Sequence, residues 1–243
     1  MSGSAEEVAQ SQFLHKVYDT VPRRYRLVNS IITWGLDYKW RRQAAKECLV
    51  NKPGKVLDIG CGTGDLTIEL ISKSGEDVEI TGVDFNRNMM RIAEERVEKL
   101  NRGSKVSFVS GDVANLPFPG DYFESVGTAF AFRNLTYKNP MAECNIAEVL
   151  RVLKIGGRLV ILETSQPKPG LIRHVCHFYV RYSVFLAGAL ISGNSQPYRY
   201  LADSTVNYYT PEELKRILLQ AGFNSVSFYR LFFGAASIHI AIK

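Results

Sequence analysis

The sequence predicts an α/β protein with a doubly wound, mostly parallel sheet, and three observations carry that prediction. From Lys55 onward short β-type runs alternate with longer helical ones, the rhythm of right-handed crossovers that cover a parallel sheet on both faces. The first of these runs, Lys55-Val56-Leu57-Asp58-Ile59, ends in an aspartate and turns through Gly60, Gly62 and Gly64 into a helical pattern. Such a turn leaves bare backbone for a ligand at a strand's carboxyl end, with a helix amino-terminus behind it. Near the far end of the chain, 225–232 and 236–243 read as two strands close enough in sequence to pair antiparallel. At 243 residues the chain suffices for one domain with a substantial core and is marginal for two, so a single domain over 1–243 is expected.

Ahead of the glycine turn, helical spacing in 13–25, 26–36 and 39–49 is punctuated by Pro22 and Gly35 and predicts short amino-terminal helices within 8–51. The core, 52–164, then reads as strands at 56–59, 79–84, 105–112, 122–130 and 157–164, with helices at 65–74, 88–100 and 139–153. After residue 164 the rhythm breaks, and 165–209, rich in aromatic and small residues, reads as an insertion. Thr210-Pro211-Glu212-Glu213 opens a last helix within 210–243, with threonine as cap, proline in the first turn and a carboxylate three residues after the cap. Gly222 ends it before the two final strands.

With 46% hydrophobic and 22% charged residues the composition is that of a globular protein rather than a disordered one, and it serves enzymes and binding modules equally. A formal charge of +6 admits a nucleic acid or an anionic membrane. The densest basic groups, Arg23, Arg24 and Arg26, then Lys39, Arg41 and Arg42, gather near the amino-terminus and read as a solvated basic face, so no nucleic-acid partner is expected. Cys48, Cys61, Cys144 and Cys176 form no CxxC pair, which predicts neither a zinc site nor a redox dithiol and suits a reducing compartment. His174 and His177, one helical turn apart, read as packing or surface residues, and no metal is predicted. The opening MSGSAEEVAQSQ has no hydrophobic leader, which predicts a cytoplasmic protein. The most apolar stretch, 182–192, is only about half the length of a spanning helix.

The glycine turn also bears on the ligand's charge. Where a dinucleotide fingerprint wants its third glycine, the chain has Asp65. A carboxylate there, together with Asp58 before the turn, suits a cationic ligand without phosphates and disfavours a nicotinamide-dependent oxidoreductase. At the end of the second strand Asp84 can accept both ribose hydroxyls in one bidentate contact, or can serve as a plain turn aspartate capping the next helix. Asp112 ends the third strand in Ser110-Gly111-Asp112-Val113, as a ligand contact or a solvated loop acid.

The run from Val56 to Gly64, VLDIGCGTG, resembles the first motif of the class I S-adenosylmethionine-dependent methyltransferases. That resemblance implies their Rossmann-like fold, a seven-stranded sheet with one antiparallel strand, here with amino-terminal helices and a helical insertion. It implies S-adenosyl-L-methionine as cofactor, bound by Asp58, Gly60, Cys61, Gly62, Thr63, Gly64, Asp84, Phe85, Asp112, Val113 and Ala129, with Asp112 and Val113 at the adenine. Further along, Tyr25 to Asn29, Trp34-Gly35-Leu36, Trp40-Arg41, Ala129-Phe130-Ala131-Phe132-Arg133-Asn134, Glu148 to Lys154 with Gly156-Gly157, and Glu163 are similar to the C-methyltransferases of ubiquinone and menaquinone biosynthesis. The similarity runs from about Phe13 to Gly222.

That family methylates a ring carbon of a polyprenylated quinol. The resemblance therefore implies a lipophilic quinol acceptor, of the demethylmenaquinol type, with Arg133, Asn134 and Tyr25 as catalytic residues. Arg133 would orient the quinol oxygens or a water that removes the proton. An arginine keeps its own proton, so stabilisation of a phenolate is the expected role, and a tether to Glu163 the alternative. Phe178, Tyr179, Tyr182, Phe185, Tyr198 and Tyr200 supply walls for a ring and a greasy tail, or pack as core. The insertion and the basic amino-terminal helices are expected to touch a membrane peripherally, unless the insertion closes as a lid over a soluble pocket. A homodimer is left open.

The chain departs from the family on the acceptor side. Arg24-Tyr25-Arg26-Leu27-Val28-Asn29-Ser30 lacks two acids of the KYDxMND pattern, Ala129-Phe130-Ala131 replaces a step ending in glycine, and Asn207-Tyr208-Tyr209-Thr210 replaces the usual phenylalanine-proline. Methyl transfer to another small apolar acceptor is the alternative function. A catalytically silent scaffold is a further one, separable because it would release no S-adenosylhomocysteine.

Overall fold

The computed structural model describes residues 30, 33–100, 105–191 and 202–243, with 184–191 described by backbone alone. The helix expected over 13–25, most of that over 26–36, and Tyr25 lie outside the described residues. The third amino-terminal helix is present as α1, Leu36–Cys48, entered from Gly35 in the left-handed conformation at φ 71°.

Strands and helices then alternate as predicted. They are β1 (Lys55–Ile59), α2 (Asp65–Lys73), β2 (Glu79–Asp84), α3 (Arg87–Glu98), β3 (Lys105–Ser110), β4 (Phe123–Ala129), α4 (Phe132–Thr136), α5 (Ala142–Val152), β5 (Leu153–Thr164), α6 (Leu171–Ile191), α7 (Pro211–Gln220), β6 (Ser225–Leu231) and β7 (Ala236–Ile242). A short helical turn at 202–206 precedes α7. The sheet order is β3-β2-β1-β4-β5-β7-β6. Neighbours pair in parallel from β3 to β5, whereas β7 is antiparallel to both β5 and β6. The fold class is the expected one, and the antiparallel strand is β7.

Strand alternation divides the core between the two faces of the sheet. Leu57, Ile59, Leu159 and Ile161 point into a cluster roofed by α5 and α7, while Val56, Val160 and Leu162 point into a second one beneath α1 and α2. Both faces are covered, which is why these strands read as unbroken apolar runs rather than as alternating ones. Each fully buried aliphatic side chain contributes roughly 1.5–3 kcal/mol.

One prediction of element boundaries is corrected. The strand expected from 157 begins at Leu153, and Lys154 to Gly157, read as a turn, is an irregularity inside β5. Its register against β4 shifts between Phe123 and Ser125. Gly156 adopts φ 76° and donates its N–H to the Lys243 carbonyl at 2.9 Å, so the last strand stitches the bulge in place.

Strand order reverses direction between β1 and β4, and at such a switch point a crevice opens outside the strands' carboxyl ends. Two segments issue there: 60–64 from β1 and 130–134 from β4. Among the described residues no helix is long and apolar enough to cross a membrane.

Candidate active site

The glycine turn is shaped by what packs behind it. Gly60 and Gly64 adopt φ 63° and 78°, a region that L side chains seldom occupy. A Cβ on Gly60 would lie 2.5 Å from that of Ala131, and one on Gly64 would lie 2.9 Å from that of Ala93. These glycines therefore let β1 press against the segment after β4 and let α2 press against α3. Gly62 also has positive φ, 52°, but a Cβ there would meet nothing nearer than the Met89 sulfur at 3.8 Å.

Asp84 draws this turn across to β2. Its two carboxylate oxygens accept from the Gly62 N–H and the Asn86 N–H, both at 2.8 Å. The helix-capping alternative for Asp84 falls to Asn86, whose side chain accepts from Met89 N at 3.0 Å at the start of α3. Phe85 follows at the strand end with 40% of its surface exposed. Asp112 is exposed and accepts from Ala114 N at 3.0 Å, fixing the turn after β3. Val113 follows, its side chain packed in the core. Cys61 is similar, with its thiol buried against Gly82 and pushed well above the usual thiol range by burial. Ala129, half-buried, ends β4, and Thr63 is half-buried on the turn.

Asp65 does not act as expected. Its carboxylate pairs with Arg96 of α3 at 2.8 Å, and Arg96 also donates to the Thr63 carbonyl. The charge read as an attraction for a cationic ligand is therefore largely spent within the turn, and Arg96 braces the turn against α3. Asp58 behaves differently. It is buried, its Oδ2 accepts from Thr67 Oγ1 at 2.6 Å, and its Oδ1 has no hydrogen-bond partner among the described residues. Burial pushes its pKa up to about 7, against the Thr67 hydrogen bond and with help from the negative charge of Asp84. An orphaned carboxylate oxygen beside a second acid fits a ligand that brings a positive charge, as the ammonium and sulfonium of S-adenosylmethionine do.

Across the crevice, α4 carries Arg133 and Asn134. This five-residue helix lacks a side-chain cap of its own at Ala131, and Glu163 of β5 supplies one: Oε2 accepts the Arg133 N–H at 3.0 Å while Oε1 accepts from Thr164 N at 2.8 Å. The tether to Glu163, the alternative reading of Arg133, exists through the backbone N–H rather than the side chain. The guanidinium, 3% exposed, instead donates to Ser204 Oγ at 3.0 Å and to Thr205 Oγ1 in the turn at 202–206. Gln166 donates to the Thr205 carbonyl at 2.8 Å and meets His177 Nε2 of α6 at 2.6 Å, so the insertion is wired to the arginine's own support. Asn134 is half-buried beside it.

Sequence reasoning missed several of these partners. Arg41, read as part of a solvated basic face, is buried, paired with Asp37 one turn earlier and set 5.1 Å from the centre of the Phe130 ring. The i, i+4 spacing of Asp37 and Arg41 was the available signal. Glu148 and Arg151 hold the loop after β3, Glu148 accepting from Leu116 N at 2.9 Å and Arg151 donating to the Phe118 carbonyl at 2.8 Å. Among the predicted aromatic walls, Phe178 and Tyr182 stack on each other in solvent, and Tyr179 accepts from Trp34 Nε1 at 2.6 Å. The side chain of Phe185 and residues Tyr198 and Tyr200 lie outside the described residues. No cluster of metal-ligating side chains occurs among the described residues.

Comparison with known sequences decides the lineage. The profile of the ubiE/COQ5 methyltransferase family matches residues 6–243. The chain belongs to the ubiE/COQ5 methyltransferase family. This family member is an S-adenosylmethionine-dependent methyltransferase. It is similar to the demethylmenaquinone methyltransferase of Staphylococcus aureus, 34% identical over 98% of this chain and 96% of the relative. It is also similar to the ubiquinone/menaquinone biosynthesis C-methyltransferase UbiE of Geotalea daltonii, 31% identical over 95% of this chain and 96% of that protein. Among solved structures, human N-acetylserotonin methyltransferase in complex with S-adenosylmethionine superposes with a TM-score of 0.62 at 16% identity, over 93% of this chain and 57% of that one. A methyltransferase from Aquifex aeolicus gives 0.54 at 20% identity, over 77% and 81%. At those identities the likeness of this family member to solved structures is one of fold.

Proposed function

We propose that the chain methylates a ring carbon of a polyprenylated quinol of the demethylmenaquinol type. The observation that carries this reading is end-to-end similarity to a relative named for demethylmenaquinone, and a buried arginine at the crevice fits the chemistry. When bound, S-adenosylmethionine supplies the methyl group as an electrophilic carbon on a sulfonium. To hold it we assign Asp58 as negative partner, Asp84 as acceptor for the ribose hydroxyls, Gly60, Cys61, Gly62, Thr63 and Gly64 as backbone floor, and Phe85, Asp112, Val113 and Ala129 as the surrounding contacts.

A ring carbon becomes nucleophilic when a neighbouring hydroxyl loses its proton. Arg133 keeps its positive charge and is assigned to stabilise the resulting phenolate, with Asn134 and Tyr25 beside it. Ser204 and Thr205 hold the guanidinium in a fixed place, so little reorganisation is needed as negative charge develops on the acceptor. Around this chemistry we read 1–243 as a single domain, with 8–51 as amino-terminal helices, 52–164 as the cofactor core, 165–209 covering the acceptor and 210–243 closing the sheet.

The test is an assay with demethylmenaquinol under reducing conditions, reading S-adenosylhomocysteine release and the mass of the quinone product. Turnover is expected, and Arg133→Ala is expected to lower kcat by a factor on the order of 10² to 10³ with cofactor affinity unchanged by calorimetry. Equal losses of both would remove Arg133 from its assigned role. Methylation of small apolar phenols with inactivity toward every prenylated quinol would instead favour another acceptor.

A further inference from the structure

Thr205 meets two side chains at once. Its hydroxyl accepts from the Arg133 guanidinium, and its backbone carbonyl accepts from Gln166 Nε2 at 2.8 Å. A carbonyl oxygen can only accept, so the Gln166 amide turns its nitrogen to Thr205 and its Oε1 to the ring of His177, 2.6 Å away. That amide oxygen also can only accept, which places a proton of His177 on Nε2. Burial, with the charges of Arg173 and Arg181, holds this ring below the usual imidazole range, so at neutral pH the proton in the bond is the one the ring carries. Gln166 is buried and its backbone is pinned. Just before it, Ser165 donates its N–H to the Ala235 carbonyl at 2.9 Å, and just after it, a Cβ on Gly234 would lie 3.1 Å from Pro167 Cα. The turn at 202–206 is anchored separately, by the buried side chains of Ala202 and Val206. The amide thus bridges two parts that the fold already holds, and what it adds is the place of Thr205 relative to the end of β5.

We infer that Gln166, oriented by His177, is a positioning residue for methyl transfer, fixing Thr205 and through it the Arg133 guanidinium. A guanidinium presents its donors in a rigid plane, so the direction in which it meets an acceptor depends on where its other partners sit. Buried hydrogen bonds in series also reinforce one another, and the series here ends on the charged group. A shift of about 1 Å at a group that stabilises developing charge can cost up to about 10²-fold in rate. The seating of α6 is thereby felt at Arg133 by way of two intervening residues. The inference deepens the quinol reading and rests on it for the task of Arg133.

A double-mutant cycle with demethylmenaquinol as acceptor tests the role. Gln166→Leu is expected to lower kcat by about tenfold or more, with S-adenosylmethionine affinity by calorimetry unchanged. His177→Leu should lower it by about threefold or more, and His177→Gln, which keeps an N–H donor, should restore most of that loss. In an Arg133→Ala background Gln166→Leu should have no further effect, because the group it positions is gone. Losses that multiply, equal losses of cofactor affinity and kcat, or an unaltered kcat would overturn the role. Should Gln166→Leu fail to fold, the same cycle run with His177→Leu on the half-buried side of α6 decides it. A second readout needs no acceptor. In protein carrying isotope-labelled arginine, the Nη signals of Arg133, identified by their loss in Arg133→Ala, should be distinct and slow to exchange, and should average in Gln166→Leu. Identical spectra would overturn the role whatever the kinetics show. If no quinol is methylated while the Nη signals respond, the acceptor reading fails alone and the placement of Arg133 by Gln166 stands. If the quinol is methylated and neither the cycle nor the signals respond, the inference fails alone.

Discussion

Asp58 concentrates the chemistry of the cofactor side in one carboxyl group. In the folded protein its pKa rises to about 7 because burial disfavours the anion, and one of its oxygens has no donor among the described residues. A ligand bringing positive charge to that oxygen favours ionisation, so binding below pH 7 must expel a proton. The affinity for S-adenosylmethionine should therefore weaken as pH falls below about 7, approaching tenfold per pH unit, and should be flat above it. Titration calorimetry at pH 6 and pH 8 checks this, and Asp58→Asn should bind more weakly with the pH dependence gone. An unchanged slope in the variant would assign the titration to another group. What the sequence could say at this scale was the turn itself, since three glycines after a strand-ending aspartate encode a backbone shape. It could not say that Asp84 would reach Gly62 or that Arg96 would neutralise Asp65, because those pairings depend on how β2 and α3 pack after folding. Arg133 was legible as a strand-end arginine, whereas its partners Ser204 and Thr205, 71 and 72 residues away, were not.

At the scale of elements, α7 shows how a short local code can fix a boundary. Thr210 Oγ1 accepts from Glu213 N at 3.3 Å while the Glu213 carboxylate accepts from Thr210 N at 2.8 Å, so two of the helix's unsatisfied donors are met reciprocally. Thr210→Ala should lower stability by about 1 kcal/mol, seen as a reduced denaturation midpoint and faster hydrogen exchange in the first turn of α7, with β1 and the glycine turn unaffected. Elements like this one were readable because their signals lie within a few residues. β5 was not fully readable, because Gly156-Gly157 carries a turn signal that only pairing with Lys243 converts into a bulge. The helical insertion was expected from the family resemblance rather than from periodicity, because a face bearing Leu171, Val175 and Phe178 to solvent does not show the polar side by which a surface helix is recognised.

Over the whole molecule, two buried groups pull the pH dependence of stability in opposite directions. His239 lies in β7 with its Nε2 3.0 Å from the Pro211 carbonyl, and burial pushes its pKa down to about 4. The folded ring refuses a proton that the unfolded ring accepts below pH 6.5, so this contribution is whole above pH 6.5 and lost as pH falls toward 4. At pH 5 the loss amounts to about 2 kcal/mol. Asp58 has the reverse sign, because its folded carboxyl holds a proton between pH 3.8 and about 7 that the unfolded chain releases, so acid favours the fold through that group. The unaltered protein should show a shallow net slope. His239→Gln, which keeps a donor for Pro211, should expose the Asp58 effect alone, so that its urea midpoint holds or rises from pH 7.5 to pH 5 while that of the unaltered protein gains less or falls. Parallel profiles would show that His239 titrates as it does in the unfolded chain.

The four thiols are graded in accessibility, Cys144 lying open on α5, Cys176 half-covered on α6, and Cys48 and Cys61 enclosed. Because the Cys61 sulfur lodges between the glycine turn and Gly82, an alkylating reagent reaches it only when that turn lifts away from β2. The molecule thus carries its own stopwatch for local opening at the crevice, with Cys144 as the fast internal reference, and no foreign label need be introduced to read how firmly a ligand clamps the turn shut.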